Sequence, residues 1–439
     1  MYKKNIFIIL FLSITFLLSV ACSSQKDNHS TSSQKKLLLN NNYDADTAMF
    51  VSVSSDGEYA VTSSVGKSVI LWDIQHKTKT LISTNANIYS AYFIKNSDKF
   101  IWQDLNDIVH VEDVYGNMIE TFKASPTYSE VMTSNLNTYF STDEDWNLWK
   151  RENNQLKIIK KEYGGAGFIG AEKPMNLTLS LNDQFLLTSG NAEDGWDNLP
   201  IKYGFSTLGE NAKPGYGRNL PLMDGIVLWN VQTGKPLRKF AGNENKTIAT
   251  LSPDGKYVVG CDEAINCYVW LTNIGKRLFQ LESVWDQKGN RAPPKTYSNV
   301  ENGFSGVISV KFIDANHYLR FSDGVPYADL FNIQKPYPLK YFYLGIKPAP
   351  SVASYDRDES IDTAPAVHIL VTGQDTGSGI NVYQYDPKTQ TLQLIWTPNG
   401  LFKNGKTFEQ DLGIPQKQSP KDYEKVLIKN GWDPDNPNQ

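Results

Sequence analysis

The chain of 439 residues is poor in side chains that bind transition metals, because it contains only five histidines and three cysteines. No pair of histidines has the spacing of a metal site, so the sequence predicts neither a metal nor a cofactor. Basic residues are not in excess either: Lys and Arg total 43, Asp and Glu total 47, and the net charge is −4. Because nucleic acids reward basic surfaces through counterion release, we expect no nucleic-acid partner.

Signatures of common hydrolases are also missing, since the sequence has no His-Glu-x-x-His and no Gly-x-Ser-x-Gly motif. Oxygen-bearing side chains do alternate at the spacing of a calcium loop, at Asp356, Asp358, Ser360 and Asp362. Such a loop also needs a turn glycine, and an acidic residue eleven positions after its first ligand, where this chain has Val367. We interpret the segment as a solvated acidic loop and predict that the protein is not an enzyme.

The apolar run at the N-terminus is too short to cross a membrane. It covers residues 6–20, which is 15 residues, whereas a spanning helix needs about 20. Lys3 and Lys4 precede it, and Ala21 and a polar stretch follow it, which is the order of parts in a secretory signal peptide. Residues 1–21 are therefore predicted to be a signal peptide.

The end of this segment, Leu18-Ser19-Val20-Ala21-Cys22, resembles a bacterial lipobox. The resemblance implies that Cys22 is acylated and becomes the new N-terminus, so that lipid attaches the protein to a membrane. Ser23 rather than Asp after the cysteine implies the outer membrane, with the protein facing the periplasm. An ordinary signal peptide cut near Ala21 is the alternative. Residues 22–35, rich in Ser, Gln, Lys and Asn, are predicted to form a flexible tether.

The body of the chain repeats a unit of strand, tight turn and strand. Residues 54–61 read Ser-Ser-Asp-Gly-Glu-Tyr-Ala-Val and recur as Ser-Pro-Asp-Gly-Lys-Tyr-Val-Val at 252–259, with weaker copies at 180–187 and 313–319. Asp-Gly or Asn-Asp supplies the turn, and the aromatic residue begins an apolar strand. A second apolar strand follows in several units and carries a tryptophan, and four of these residues are predicted to be equivalent: Trp72, Trp149, Trp229 and Trp270.

Four short strands in each unit of about 40 residues resemble the WD-repeat β-propeller, with Trp72-Asp73 as its namesake dipeptide. The resemblance implies an all-β fold, a seven-bladed β-propeller of four-stranded antiparallel blades, over residues 36–400. The Gly-His dipeptide of that family does not occur. Either residues 36–39 or residues 391–396 could complete the last blade, and residues 401–439 are predicted to be a partly disordered extension. The units are 47–84, 88–123, 128–160, 175–240, 246–282, 306–343 and 350–396.

Two cysteines remain once Cys22 is assigned to lipid. Cys261 and Cys267 flank a five-residue segment between two predicted strands, so antiparallel pairing brings them face to face. An even pair in an exported protein predicts a disulfide bond. Two buried free thiols are the alternative.

Three long breaks in the pattern, at residues 161–174, 191–224 and 285–305, fall on one face of the predicted ring. This long-loop face is the one on which the second and third strands of a blade connect and on which one blade leads to the next. Loops longer than about 12 residues are uncommon without a role. Aromatic and Arg side chains often anchor interfaces, and the candidate binding residues are Trp196, Asp197, Tyr203, Tyr216, Arg218, Trp285 and Arg291.

These features together predict a lipid-anchored scaffold of the cell envelope whose long-loop face binds another protein. A role in envelope assembly, in sensing or in immunity to a toxin is compatible with the sequence. The alternative is a propeller enzyme acting on a carbohydrate or another envelope polymer, which would need converging carboxylates. The long loops offer five acidic residues for that purpose: Glu193, Asp194, Asp197, Asp224 and Asp286.

Overall fold

A computed structural model describes residues 48–161, 176–192, 225–281, 307–344 and 360–398, apart from residues 65, 89, 144, 146, 241, 242, 244, 263–266, 323–326, 337 and 374–378. All of them belong to the unit of residues 36–439. They form seven sheets of four antiparallel strands each, and one short strand between the second and third strands of the fourth sheet joins the fifth sheet instead. The predicted all-β, seven-bladed propeller is therefore confirmed.

The strands between residues 48 and 240 are short, and all but the one at residues 191–192 belong to the first four blades. They are β1 (Ala48–Val53), β2 (Tyr59–Ser64), β3 (Val69–Asp73), β4 (Thr78–Ser83), β5 (Tyr92–Phe93), β6 (Lys99–Gln103), β7 (Ile108–Asp113), β8 (Met118–Lys123), β9 (Ser129–Met132), β10 (Thr138–Thr142), β11 (Leu148–Glu152), β12 (Gln155–Lys160), β13 (Asn176–Leu179), β14 (Phe185–Ser189), β15 (Asn191–Ala192), β16 (Ile226–Asn230) and β17 (Lys235–Phe240).

The last three blades follow the same order. Their strands are β18 (Asn245–Leu251), β19 (Tyr257–Asp262), β20 (Cys267–Leu271), β21 (Arg277–Gln280), β22 (Val307–Phe312), β23 (His317–Ser322), β24 (Tyr327–Asn332), β25 (Pro338–Tyr343), β26 (Ile361–Ala364), β27 (Ile369–Gly373), β28 (Ile380–Asp386) and β29 (Thr391–Trp396).

The ring closes between the first and the last blade, where β1 packs against β26 and β27. In the described residues each of the seven junctions between neighbouring blades holds its own cluster of buried apolar side chains. The closing junction includes Trp72 of blade one, whose ring lies 6.2 Å from that of Trp396 in an edge-to-face arrangement. Closure therefore rests on apolar packing between blades.

The outermost strand of the last blade is β29, which pairs antiparallel with β28. Residues 391–396 therefore complete this blade, as one of the two sequence alternatives proposed. Residues 36–39, the other alternative, lie outside the described residues. The four described strands of blade seven come from one continuous stretch of chain, and among the described residues no strand from elsewhere joins this blade.

The repeated Ser-x-Asp-Gly motif is a self-contained turn. The Ser54 hydroxyl donates to Asp56 Oδ1 at 2.6 Å and accepts from the Tyr59 backbone N–H at 3.0 Å. Asp56 Oδ1 also accepts from the backbone N–H of Glu58 at 3.0 Å. Gly57 has φ of 72°, a left-handed conformation that favours glycine. The motif thus satisfies the polar groups that a tight turn leaves unpaired, and Ser252 repeats the arrangement with Asp254 and Tyr257.

Three of the four tryptophans expected to be equivalent do occupy the same place. Each pairs with the second residue of the neighbouring second strand, in the pairs Trp72–Ala60, Trp229–Leu186 and Trp270–Val258.

Trp149 was expected to share this place, and that expectation is wrong. Trp149 pairs with Ser141, two residues further along its partner strand, and Arg151 pairs with Tyr139 instead. The Arg151 guanidinium lies 3.8 Å from the centre of the Phe122 ring, and its Nη2 is 2.5 Å from Glu120 Oε1. A stacked, paired arginine thus fills the position, because cation–π packing provides the contact area that an indole gives elsewhere.

A hydrogen bond of the Trp side chain marks two of the three equivalent positions. Trp72 Nε1 donates to Thr62 Oγ1 at 2.9 Å, and Trp229 Nε1 donates to Thr188 Oγ1 at the same distance. In blade five Gly260 stands where these threonines stand, and within the described residues Trp270 Nε1 has no partner. A Cβ at Gly260 would collide with the Ile226 side chain from the preceding blade, so close packing replaces the hydrogen bond there.

Candidate functional site

A cavity lined by described residues lies in the central channel, on the side opposite the long-loop face. We term this side the turn face, and it carries the turns between the first and second strands of the blades: 54–58, 94–98, 133–137, 180–184, 252–256, 313–316 and 365–368. The cavity has a volume of about 390 Å³. Six blades contribute to its wall, which is largely apolar and includes Leu177, Leu179, Leu181, Leu251, Phe312 and Pro365.

Three charged side chains also line this wall: Lys95 from the turn after β5, Lys311 from β22 and Asp362 from β26. Lys95 Nζ lies 3.4 Å from Asp362 Oδ2, and Lys311 Nζ lies 3.7 Å from Asp362 Oδ1. All three side chains are mostly buried. Because two cations face one carboxylate, the charged lining of the cavity carries a net positive charge.

Asp362 is fixed by hydrogen bonds as well as by charge. Its Oδ2 accepts from the Val53 backbone N–H at 3.0 Å and from Ser52 Oγ at 3.2 Å, both on β1. Burial opposes ionisation of this carboxyl, but the charges of Lys95 and Lys311 and the backbone donors outweigh it and lower its pKa. The ionised carboxylate therefore ties blade seven to blade one and holds both ammonium groups at the cavity.

The turn of blade two shapes the mouth of the cavity. Asn96 donates through Nδ2 to the Leu181 carbonyl at 2.7 Å, and its backbone N–H donates to Ser55 Oγ at 2.9 Å. It has φ of 55°, in the left-handed region that asparagine tolerates better than most residues. Beneath it the Lys95 ammonium lies 5.6 Å from the centre of the Tyr92 ring. Burial, reinforced by Asp362 and Asp183, raises the pKa of Tyr92, so its hydroxyl stays neutral.

The four residues with calcium-loop spacing are only partly described. Asp356 and Asp358 lie outside the described residues, and Ser360 directly precedes β26. Asp362, on β26, directs both carboxylate oxygens towards lysines rather than towards other acidic groups. Within the described ranges no group of three or more His, Cys, Asp or Glu side chains is placed to hold a metal ion.

The other predicted site residues lie outside the described residues: Cys22, Trp196, Asp197, Tyr203, Tyr216, Arg218, Trp285 and Arg291. The strands that flank their segments are described, however. Residues 193–224 connect the second and third strands of blade four, and residues 282–306 connect blade five to blade six. In a propeller both kinds of connection open on the same face, so these strand ends lie on the long-loop face.

The first of these segments starts beside the central channel. The short strand β15 pairs antiparallel with β18, the innermost strand of blade five, through Asn191–Lys246 and Ala192–Asn245. Thr247 Oγ1 reinforces the crossing by donating to the Gly190 carbonyl at 2.5 Å. Residues 191–192 therefore no longer belong to blade four. They lie at the mouth of the channel on the long-loop face, immediately before residues 193–224.

The cysteine pair forms a disulfide bond, as predicted. Cys261 and Cys267 are directly opposite in the antiparallel ladder of β19 and β20, with their Cα atoms 4.0 Å apart. Both are fully buried at the junction between blades five and six. The buried guanidinium of Arg320 approaches the Cys267 sulfur at 3.9 Å.

One further sequence motif follows the last blade. Residues 400–407 read Gly-Leu-Phe-Lys-Asn-Gly-Lys-Thr, which has the spacing of a phosphate-binding loop. That loop works between a strand and the helix that follows it, whereas here the preceding strand is β29, the outermost strand of an antiparallel blade. The motif itself lies outside the described residues.

Similarity to known proteins is found at the level of structure. No protein-family model matches the chain, and no curated protein matches it in sequence. Among solved structures it is similar to the Cps50 (Swd1) β-propeller domain of Myceliophteria thermophila, with a TM-score of 0.52 and 10% identity. The match covers 78% of this chain and 98% of that chain. At this identity the likeness shows the fold alone, a WD-repeat-like β-propeller. In the described part of the chain no helix is long and apolar enough to cross a membrane.

Proposed function

We propose that the chain is a lipid-anchored scaffold of the bacterial cell envelope whose long-loop face binds another protein. The observation that carries the binding part is the placement of the long segments. Strands of a closed ring bracket residues 193–224 and 282–306 on a single face, and β15 delivers the first segment to the channel mouth. A rigid ring that presents long segments carrying Trp, Tyr and Arg side chains is a common basis for protein recognition.

The disulfide supports the envelope part of the proposal. Disulfide bonds persist in oxidising compartments and are rare in the reducing cytosol. The Cys261–Cys267 bond is therefore compatible with the export that residues 1–21 predict. Lipid rather than charge would then hold the protein at the membrane, because a chain with a net charge of −4 gains nothing from anionic lipid.

Anchoring is tested at the proposed acylation site. Wild-type protein from cells fed an alkyne fatty acid is expected to carry the label and to sediment with membranes. Cys22→Ala is expected to lose the label, because the thiol that accepts the lipid is gone. Gel fluorescence after coupling of a dye to the alkyne measures the result.

The matched control is the double variant Cys261→Ser/Cys267→Ser, which removes the other two cysteines and keeps Cys22. It is expected to label like the wild type. Absence of label from the wild-type protein would show that the chain is not a lipoprotein, whatever its binding activity.

Binding is tested with Trp196→Ala, Arg218→Ala and Trp285→Ala. If the long-loop face is an interface, each truncation of an anchor is expected to cost about 2 kcal/mol, or about thirtyfold in affinity. Capture of the partner from envelope extract, quantified by mass spectrometry against the wild type, measures the loss. The melting temperature is expected to stay nearly constant, because the described strands of the blades do not include these residues.

Tyr115→Ala is the matched control, because Tyr115 is a strongly exposed aromatic residue on a turn of blade two away from the long-loop face. It is expected to leave capture unchanged. The proposal fails if the three variants lower the melting temperature and retain the partner. Loss of polysaccharide turnover in Asp194→Asn, Asp197→Asn or Asp286→Asn, with capture intact, would instead indicate the enzymatic alternative.

A further inference from the structure

We propose that the cavity on the turn face binds a small amphiphilic carboxylic acid, whose carboxylate contacts Lys95 and Lys311 and whose apolar body fills the channel. This site is on the opposite side of the ring from the proposed protein interface. It therefore adds a ligand to the scaffold and does not depend on the identity of the partner.

The size and lining of the cavity indicate a small molecule. A volume of about 390 Å³ falls in the range of pockets that enclose drug-sized ligands. Most of the exposed area of the wall is apolar and includes leucine, proline and phenylalanine side chains from blades four to seven, while Ser, Thr, Asn and His side chains lie between them. Such a lining favours an apolar body and disfavours a small, fully hydrated anion such as sulfate or phosphate.

The charges in the wall indicate one negative group. Asp362 receives hydrogen bonds from Ser52, Val53 and Lys95, so its acceptors are largely used within the fold. Lys311 Nζ is 3.7 Å from this carboxylate and makes no hydrogen bond within the described residues. A mostly buried ammonium group with unused donors is costly unless a further hydrogen-bond acceptor joins it.

A ligand carboxylate supplies this missing partner. The two ammonium groups lie on either side of Asp362 and each has three N–H donors, so both can donate to a second carboxylate while the aspartate holds them in place. One added negative charge neutralises the excess of one positive charge in the wall. The site therefore favours a monoanion over a neutral amphiphile or a dianion.

The test is calorimetric titration of the purified full chain with hexanoate, octanoate, decanoate and dodecanoate. Affinity is expected to rise about fourfold per added methylene until the cavity is full. The primary amide of each acid has the same body without the charge and is expected to bind about tenfold more weakly. Failure of all four acids to bind overturns the proposal, and so does equal binding of acid and amide.

Variants locate the site. Lys311→Met and Lys95→Met keep the aliphatic stem and remove the charge, so each is expected to weaken acid binding about tenfold and to leave amide binding unchanged. Lys311→Arg restores a cation and is expected to restore binding. Lys256→Met is the matched control, since Lys256 is an exposed lysine beside an aspartate on the same face and outside the cavity wall.

A variant at the mouth keeps the proposal testable if the lysine variants do not fold. Ala366 is an exposed turn residue that lines the cavity, so Ala366→Trp is expected to block acid and amide alike without disturbing a strand. Binding that survives Ala366→Trp overturns the assignment to this cavity. Partner capture through the long-loop face is expected to be unchanged in all these variants, which separates the two proposals.

Discussion

Replacement of Asp329 by alanine is expected to lower the free energy of unfolding by about 3–5 kcal/mol. Arg320 on β23 and Asp329 on β24 are directly opposite in the sheet of blade six, and both side chains are 3% exposed. Arg320 donates to Asp329 Oδ2 through Nε at 3.0 Å and Nη2 at 2.6 Å, while the guanidinium lies 4.9 Å from the centre of the Phe331 ring. Loss of the carboxylate leaves a buried cation without its counterion, and chemical denaturation measures the effect.

A double variant distinguishes the cost of leaving a buried charge unpaired from the contribution of the Arg320–Asp329 ion pair to stability. Arg320→Met with Asp329→Leu removes both charges and keeps similar volume, so it is expected to be more stable than Asp329→Ala alone. Lys256→Ala breaks an ion pair on the surface and is expected to leave the unfolding free energy nearly unchanged, because water screens exposed charges. If Asp329→Ala and the double variant are equally destabilised, lost packing rather than an unpaired charge accounts for the effect.

Local sequence was sufficient to predict the blades because their turns are built from residues close together in the chain. Ser54, Asp56 and Gly57 form a turn through contacts within the motif itself, so the motif predicts the same turn wherever it recurs. The position of Trp149 in the blade could not be predicted from local sequence. In β11 the place that Trp72 has in β3 is occupied by Arg151, which packs on Phe122 from the preceding blade, a contact distant in the sequence.

The cavity could not be predicted for the same reason. Lys95, Lys311 and Asp362 come from blades two, six and seven, and only closure of the ring brings them together. One signal was available: Lys311 is the one charged residue of the strand at 307–312, which is otherwise apolar except for Ser309, and a lysine in such a strand needs a specific partner. The calcium-loop spacing also included Asp362, but for an unrelated reason. The spacing depends only on oxygen-bearing side chains at alternate positions, whereas in the structure Asp362 pairs with Lys95 and Lys311.

Glu130 is expected to make the stability of the ring depend on pH near neutrality. It lies on β9, the innermost strand of blade three, and is 1% exposed. Its carboxylate accepts hydrogen bonds from Ser90 Oγ, in the chain leading into blade two, and from the Tyr139 hydroxyl at 2.8 Å. Within the described residues no cation forms an ion pair with it. Burial therefore prevails over these two hydrogen bonds and raises the pKa of Glu130 from 4.5 to about 7.

The direction of the effect follows from the protons bound by each state. Between pH 4.5 and about pH 7 the folded protein keeps a proton on Glu130 that the unfolded chain has released. The stabilisation is fully present below pH 4.5 and is lost as the pH rises through about 7, by about 3 kcal/mol for a shift of this size. Above that range the carboxylate is charged at the junction of blades two and three.

Glu130→Gln is the variant that isolates this group, because its amide is neutral at every pH and can still bond to both hydroxyl groups. The unfolding free energy of the wild type relative to this variant is expected to fall by about 3 kcal/mol between pH 4.5 and pH 8. Urea denaturation of both proteins at intervals of half a pH unit measures the difference, and all other titrating groups cancel in it. Glu58→Gln, at an exposed turn, controls for the change in net charge. Parallel profiles for the wild type and Glu130→Gln would show that Glu130 does not titrate near neutral pH in the folded protein.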